Sequence, residues 1–380
     1  MLLFIIMVKI EKFIEDIYNN GLKPFPPKEI EISNKVTILV KMEYPKDFNM
    51  DPLRTIKRKP ATLLLMDLME KGYIRPGKTL ISASSGNFLR ELTLKALDLN
   101  LDLKIIGVTP PIIPKENLEI LKTLGVNIIH ISKEYDLCPR ETTVFFTRAL
   151  AEKYRLQYVN IDQYYSWQNV LSHLFMTWKE IKELGDIDYL CIPLGSTGTF
   201  MGVCLGSKLE KNKMKIIGIQ PTKTHHIPGV HYIVGECEWN PEIYSPVISY
   251  NIVTVDDIDA YSGLIKLWEY EIYSGPSTGM VFYYALKLAE KINEGRILII
   301  SADSIFAYQN YILEYLRNIK ANIVKRYPTL KNSLNEYIEW LKRQPSIEER
   351  LNLIKRIYKP KSDEGKIYEV SDIVSTKLPF

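Results

Sequence analysis

A lysine at the junction between an extended segment and a helix can do chemistry that few other side chains can. Its amine condenses with carbonyl compounds and, once neutral, takes a proton. Lys57 has this setting in Thr55-Ile56-Lys57-Arg58-Lys59-Pro60, because proline suits the first turn of a helix, where its missing N–H had no partner. Further on, Ser84-Ser85-Gly86-Asn87 follows an apolar run and presents two hydroxyls, a permissive glycine and an amide. The pairing points to a carbonyl cofactor held by Lys57, with the Ser-Ser-Gly-Asn turn holding whatever reacts with it.

Three other stretches carry polar side chains where chemistry could use them. Gly195-Ser196-Thr197-Gly198-Thr199 follows an apolar run and opens a helical pattern. Small residues there free backbone N–H groups at a helix start, which suits a phosphate. A tight turn with no ligand reads equally well, and the stretch has neither a Gly-Lys-Ser/Thr ending nor a Gly-x-Gly-x-x-Gly spacing. Ser277, in Gly275-Pro-Ser-Thr-Gly279, is either a hydroxyl facing a cleft or a helix cap. Gln163, Asn169, His173 and Thr177 belong to a polar loop and the helix start that follows it. His225, His226 and His231 are close together, but no carboxylate or cysteine completes a familiar ligand set, so a solvated or substrate-facing loop is expected and no metal. Cys138, Cys191, Cys204 and Cys237 have no paired short spacing that would suggest zinc or disulfides.

These residues need a scaffold. Amphipathic spacing predicts a helix over 8–18, and loose alternation predicts a strand over 35–43, with a Pro-rich break at 23–28 between them. A helix runs from Pro60 to about Lys71. Strands are expected at 79–83, 103–108, 126–131, 157–159, 189–193, 215–220 and 296–300. Helices are expected at 88–97, 115–124, 140–154, 167–184, 199–209, 255–270 and 278–292. Short apolar strands alternating with helices imply parallel sheets covered on both faces, with ligands at the strand ends. The alternation stops beyond Asn318, where two polar amphipathic helices, 334–343 and 347–358, precede a Lys/Asp/Gly-rich tail.

At 380 residues the chain is long for a single core. Its 46% hydrophobic and 25% charged residues are ordinary for a globular protein, and a net charge of +4 with interspersed signs leaves no nucleic-acid footprint. The apolar run at 1–7 is too short to span a membrane and has no basic flank, so a cytoplasmic enzyme is expected.

Taken in order, the turns resemble the fold-type II pyridoxal-phosphate (PLP) enzymes of the cysteine synthase family, over roughly residues 35–310. Thr55-Ile56-Lys57 is similar to the family's Ser-Val-Lys, and the distance from Lys57 to Gly72 keeps the family register and selects Lys57 over Lys59. The resemblance implies that Lys57 forms the Schiff base and Asn87 contacts the ring hydroxyl. It places Gly195, Ser196, Thr197, Gly198 and Thr199 around the phosphate, and Ser277 at the ring nitrogen. Ser84, Ser85, Gly86 and Gln163 would take the substrate carboxylate. It further implies two three-layer αβα domains of the tryptophan synthase β-like type: a large PLP-binding domain (1–59 and 153–320), a smaller one (60–152), and a C-terminal helical extension (321–380). A homodimer acting on a small amino acid is the family pattern.

The nearest likeness is to the archaeal O-phosphoserine sulfhydrylase branch, through Ser-Ser-x-Asn-Phe88, the Gln163-Tyr-Tyr segment and Ile227-Pro-Gly229. Arg58-Lys59 replaces the usual Asp-Arg, and His231 stands where an arginine for a substrate phosphate is expected. One possibility is that Arg58, Lys59, His225, His226 and His231 form a positive rim in its place. An exposed basic surface with no role is the other. The implied reaction is β-replacement on an O-activated serine: the freed lysine removes the α-proton, the β-substituent leaves, and sulfide or another nucleophile adds. A neutral hydroxyl at the ring nitrogen favours this over transamination. The alternatives are β-elimination of the serine/threonine ammonia-lyase type and a catalytically altered PLP-binding or partner-regulating homologue.

Overall fold

The computed structural model describes residues 18 and 22–370, except 23, 34, 46–50, 76, 133–138, 234–239 and 361–362. The helix expected over 8–18 therefore lies outside the described residues, apart from Tyr18. The elements in chain order are β1 (Lys28–Ser33), β2 (Val36–Met42), α1 (Arg58–Glu70), β3 (Thr79–Ala83), α2 (Asn87–Asp98), β4 (Lys104–Thr109), α3 (Lys115–Thr123), β5 (Asn127–His130), α4 (Pro139–Lys153) and β6 (Tyr158–Asn160). They continue with α5 (Trp167–Ser172), a π-helical turn (His173–Thr177), α6 (Trp178–Lys182), β7 (Tyr189–Pro193), α7 (Gly198–Leu209), β8 (Lys215–Pro221) and β9 (Asn251–Val255). The chain then forms α8 (Asp257–Glu269), α9 (Pro276–Ala289), β10 (Gly295–Ser301), α10 (Gln309–Arg326), α11 (Lys331–Arg343), α12 (Ile347–Tyr358) and β11 (Ile367–Glu369).

Two sheets result, ordered β1-β2-β10-β7-β8-β9 and β11-β5-β4-β3-β6. All pairings are parallel except β1 with β2. The period-2 alternation of a strand sends neighbouring side chains to opposite faces. In β10, Ile297 and Ile299 join one core while Leu298 and Ile300 join another. In β3, Leu80 and Ile81 divide the same way. Both faces of each sheet are therefore buried under helices, which accounts for the continuous apolar runs and makes each unit three layers thick.

Between β3 and β10 every expected element is present. The long helix expected over 167–184 is divided by the π turn. β1, β9, α10 and β11 are additions. β1 reads Lys-Glu-Ile-Glu-Ile-Ser, too polar to stand out, and it survives as an antiparallel edge strand. β11 is a three-residue strand. The C-terminal extension is accordingly not helical throughout: β11 completes the edge of the five-stranded sheet against β5, while Leu334, Tyr337, Ile338 and Leu341 of α11 pack into a core of the six-stranded unit.

Candidate active site

Lys57 rises from a segment pinned to the end of β10. Thr55 bridges Asp303, and the Ile56 N–H donates to the Ala302 carbonyl at 2.8 Å. The Lys57 amine donates to the Ser196 hydroxyl at 2.9 Å. Burial lowers its pKa to about 8, and the negative charge of Asp303 partly opposes that shift. About half of the amine is thus neutral near pH 8, where a lysine in water would be almost fully charged.

The turn after β7 forms a cup against this amine. Thr197 adopts a left-handed conformation (φ 69°) at the N-cap, from which α7 begins at Gly198. A side chain at Gly198 would collide with the Asn169 amide. That amide donates to the Ser196 hydroxyl (3.1 Å) and to the Gln163 carbonyl (2.7 Å). The Thr197 hydroxyl is buried and has no hydrogen-bond partner among the described residues. Lys57, Asn87, Gly195–Thr199, Ser277 and Asp303 all line one small cavity here.

Behind the cup lies a buried ionic cluster. Lys59 contacts Glu43 at 3.0 Å, Glu180 at 2.6 Å and the Thr177 hydroxyl at 3.1 Å, while Lys41 pairs with the same two carboxylates. Burial alone would raise the Glu43 carboxyl, but Lys41, Lys59 and Arg58 hold it far below the usual range. Thr177 continues to His173 Nδ1 (2.9 Å), and His173 Nε2 lies 3.1 Å from the Thr199 hydroxyl. Burial, then Lys59, pushes His173 well below its ordinary pKa, so the ring is neutral. In a neutral imidazole one ring nitrogen donates and the other accepts, so His173 links the Thr177 and Thr199 hydroxyls in one hydrogen-bonded chain.

The other wall is the start of α2. Asn87 Nδ2 donates to Asp303 Oδ2 (2.5 Å), and Asn87 Oδ1 accepts from Arg90, with the Tyr308 hydroxyl 2.9 Å away. Tyr308 also lies 2.6 Å from Asp303 Oδ2. Asp303 Oδ1 is buried without a partner among the described residues, and burial raises this carboxyl above the usual carboxylate range. Sequence reasoning missed Asp303 and Tyr308. The usable signal was Ser301-Ala-Asp-Ser304 at the end of the last apolar strand, a polar turn of the same type as the other three. Ser277 lies inside the first turn of α9, whose N-cap is Gly275, so it is not a helix cap.

Ser84 and Ser85 line a larger cleft of about 480 Å³ next to this cavity, facing His225, His226, Pro228–His231 and Tyr311. Gly86 has φ 133°, and a Cβ there would stand 2.9 Å from the Asn117 side chain, so the turn requires glycine. Gln163 is buried below, donating to the Ala83 carbonyl at 3.3 Å. The conjectured positive rim loses two members. Lys59 is fully buried in the ionic cluster, and Arg58 is buried with its guanidinium over the Phe25 ring. Among the described residues no group of three His, Cys, Asp or Glu side chains could hold a metal, and no helix is long and apolar enough to cross a membrane.

The sequence signature of the family described as "Pyridoxal-phosphate dependent enzyme" matches residues 27–303, and the chain belongs to that family. Within it the protein is a cysteine synthase-like enzyme of fold-type II that uses PLP. It is 28% identical to a cysteine synthase of Aquifex aeolicus over 271 residues, covering 69% of this chain and 78% of the relative. It is 26% identical to a cystathionine beta-synthase of Apis mellifera over 329 residues, covering 80% of this chain and 61% of the relative. The crystal structure of an O-acetylserine dependent cystathionine beta-synthase from Helicobacter pylori superposes with a TM-score of 0.66 at 23% identity, over 76% of this chain and 95% of that one. At that identity the likeness speaks for the fold.

Proposed function

We propose that this enzyme catalyses β-replacement on an O-activated serine, with Lys57 as cofactor lysine and base. The carrying observation is that one cavity joins an amine of depressed pKa, a helix-start cup and the Asn87–Asp303 wall, and that the Ser84–Ser85 turn borders the cleft beside it. These residues fit a phosphorylated pyridine aldehyde. The cup supplies backbone N–H groups, the unpartnered Thr197 hydroxyl and the Thr199 hydroxyl to a phosphate. Asn87, Asp303 and Ser277 lie on the wall left for the ring. When bound, the cofactor supplies an electron sink for charge developing at the substrate α-carbon.

The chain's own residues perform the rest. The Ser84 and Ser85 hydroxyls, with the N–H groups at the start of α2, take the donor carboxylate and orient the α-carbon towards Lys57. The Lys57 amine, displaced by the donor, removes the α-proton, and its lowered pKa suits a base working near neutrality. The β-substituent departs into the cleft, from which the nucleophile enters. The relatives named cysteine synthase support cysteine as the product, which makes sulfide the nucleophile to test, with O-acetylserine and O-phosphoserine as the donors to try.

The test is product analysis of the PLP-loaded enzyme with O-acetylserine or O-phosphoserine plus sulfide. Cysteine with released acetate or phosphate is expected. Pyruvate and ammonia in place of cysteine would replace this reading with simple β-elimination. Failure of the purified protein to contain or take up PLP would overturn it altogether.

A further inference from the structure

Residues 304–370 lie beyond the family match, yet one of their side chains reaches towards the substrate turn. Arg350 of α12 is 1% exposed. A charge so deeply buried needs partners, and Arg350 finds them in both units. It donates to the Phe306 carbonyl beside the six-stranded sheet and, at 2.5 Å, to Glu116 at the start of α3 in the other unit. The Glu116 carboxylate also accepts the N–H groups of Asn310 (3.1 Å) and Tyr311 (3.0 Å), which begin α10. Glu116 thus ties α3 to α10, and Tyr311 lines the cleft.

The next residue on α3 faces the substrate turn. Asn117, 1% exposed, donates to the Ser85 carbonyl at 3.3 Å and accepts from Arg90 at 2.9 Å. Arg90 in turn donates to Asn87 Oδ1. Asn117 also fills the space that makes glycine obligatory at position 86. Glu116 and Asn117 are consecutive in one helical turn, so the backbone cannot shift one without the other.

We propose that Arg350 is a positioning residue: through Glu116 and Asn117 it holds the Ser84–Asn87 turn in the form that receives the donor carboxylate. The inference rests on the reading of that turn given above. Arg350 lines neither the cavity nor the cleft. Its loss would leave Glu116 buried with two backbone donors and free the start of α3.

The experiment compares PLP-loaded wild type with Arg350→Ala, Arg350→Lys, Glu116→Gln and, as a control for lost packing in the extension, Leu334→Ala. Two quantities are read: the apparent Kd for O-acetylserine from the change in visible absorbance, and amide hydrogen exchange at 84–90. Arg350→Ala and Glu116→Gln should weaken donor binding roughly tenfold and speed exchange in the turn, with PLP affinity falling by less than donor affinity. Arg350→Lys should recover part of the loss, and Leu334→Ala should lower Tm without weakening the donor. Unchanged donor affinity in Arg350→Ala, or equal weakening in Leu334→Ala, overturns the proposal. Wild-type protein that binds PLP but no amino-acid donor overturns the reading of the turn, and exchange at 84–90 then still decides whether Arg350 holds it.

Discussion

The Gly195–Thr199 cup and the Ser84–Asn87 turn are alike in kind and differ in how they are held. Each follows a parallel strand and opens a helix, β7 to α7 in one and β3 to α2 in the other. The cup is braced from inside its own unit, by Asn169 beside it and by the Thr199–His173–Thr177–Lys59 chain behind it. The Ser84–Asn87 turn is braced from across the molecule, by Asp303 and Tyr308 at Asn87 and, through Asn117 and Glu116, by Arg350. The cup, held locally, keeps its shape whatever the other unit does. The Ser84–Asn87 turn, held across the junction, depends on how the two units are docked. On the function proposed above, this separates phosphate binding at the cup from recognition of the donor, with Asn87 shared between cofactor and turn.

The largest test removes what the two turns share. Lys57→Ala should abolish the visible absorbance of bound cofactor after desalting and cut turnover by roughly a thousandfold or more, as loss of a positioned base does. Next, Lys59→Met strips the buried Glu43 and Glu180 of a partner, and breaking such a cluster costs about 3–5 kcal/mol. Denaturant titration should show that loss together with weaker PLP binding, while surviving holoenzyme binds the donor normally. Loss of donor affinity alone would mean that the cup is not locally braced.

A smaller effect is expected from Thr199→Val, which removes the last hydroxyl of the chain. PLP affinity should fall by roughly tenfold, the scale of one hydrogen bond to a charged group, with the KM for the donor unchanged. The smallest effect concerns pH. Only the neutral amine attacks an aldehyde, so reattachment of PLP to apoenzyme should speed up as pH rises and level off above about 8. The Asp303 charge favours the protonated amine, so Asp303→Asn should move that midpoint to lower pH. A midpoint near 10 in the wild type would show that Lys57 is not desolvated.

Much of the site was legible because backbone chemistry limits which residues can stand at a strand end. Ser84, Gly86, Asn87 and Gly195–Thr199 are small or hydrogen-bonding residues placed directly after apolar runs. Pro60 marks the helix start beside Lys57 whatever lies around it. Arg58 and Lys59 were misleading for the opposite reason. A charged residue carries no local signal of burial, and their partners Glu43 and Glu180 are distant in the chain. Asp303 was passed over because one carboxylate after a strand is common, and its meaning comes from Asn87 and Tyr308.

The sequence by itself determined the alternation of strands and helices and the position of each polar turn at a strand end. These follow from local periodicity and from steric rules that act over a few residues. Only the tertiary structure decided that β11 joins the edge of the five-stranded sheet, that Lys59 faces Glu180 behind the cup, and that Arg350 meets Glu116. Burying a charge is tolerable only where an opposite charge arrives from elsewhere in the chain, and which one arrives depends on how the two sheets and the extension pack together.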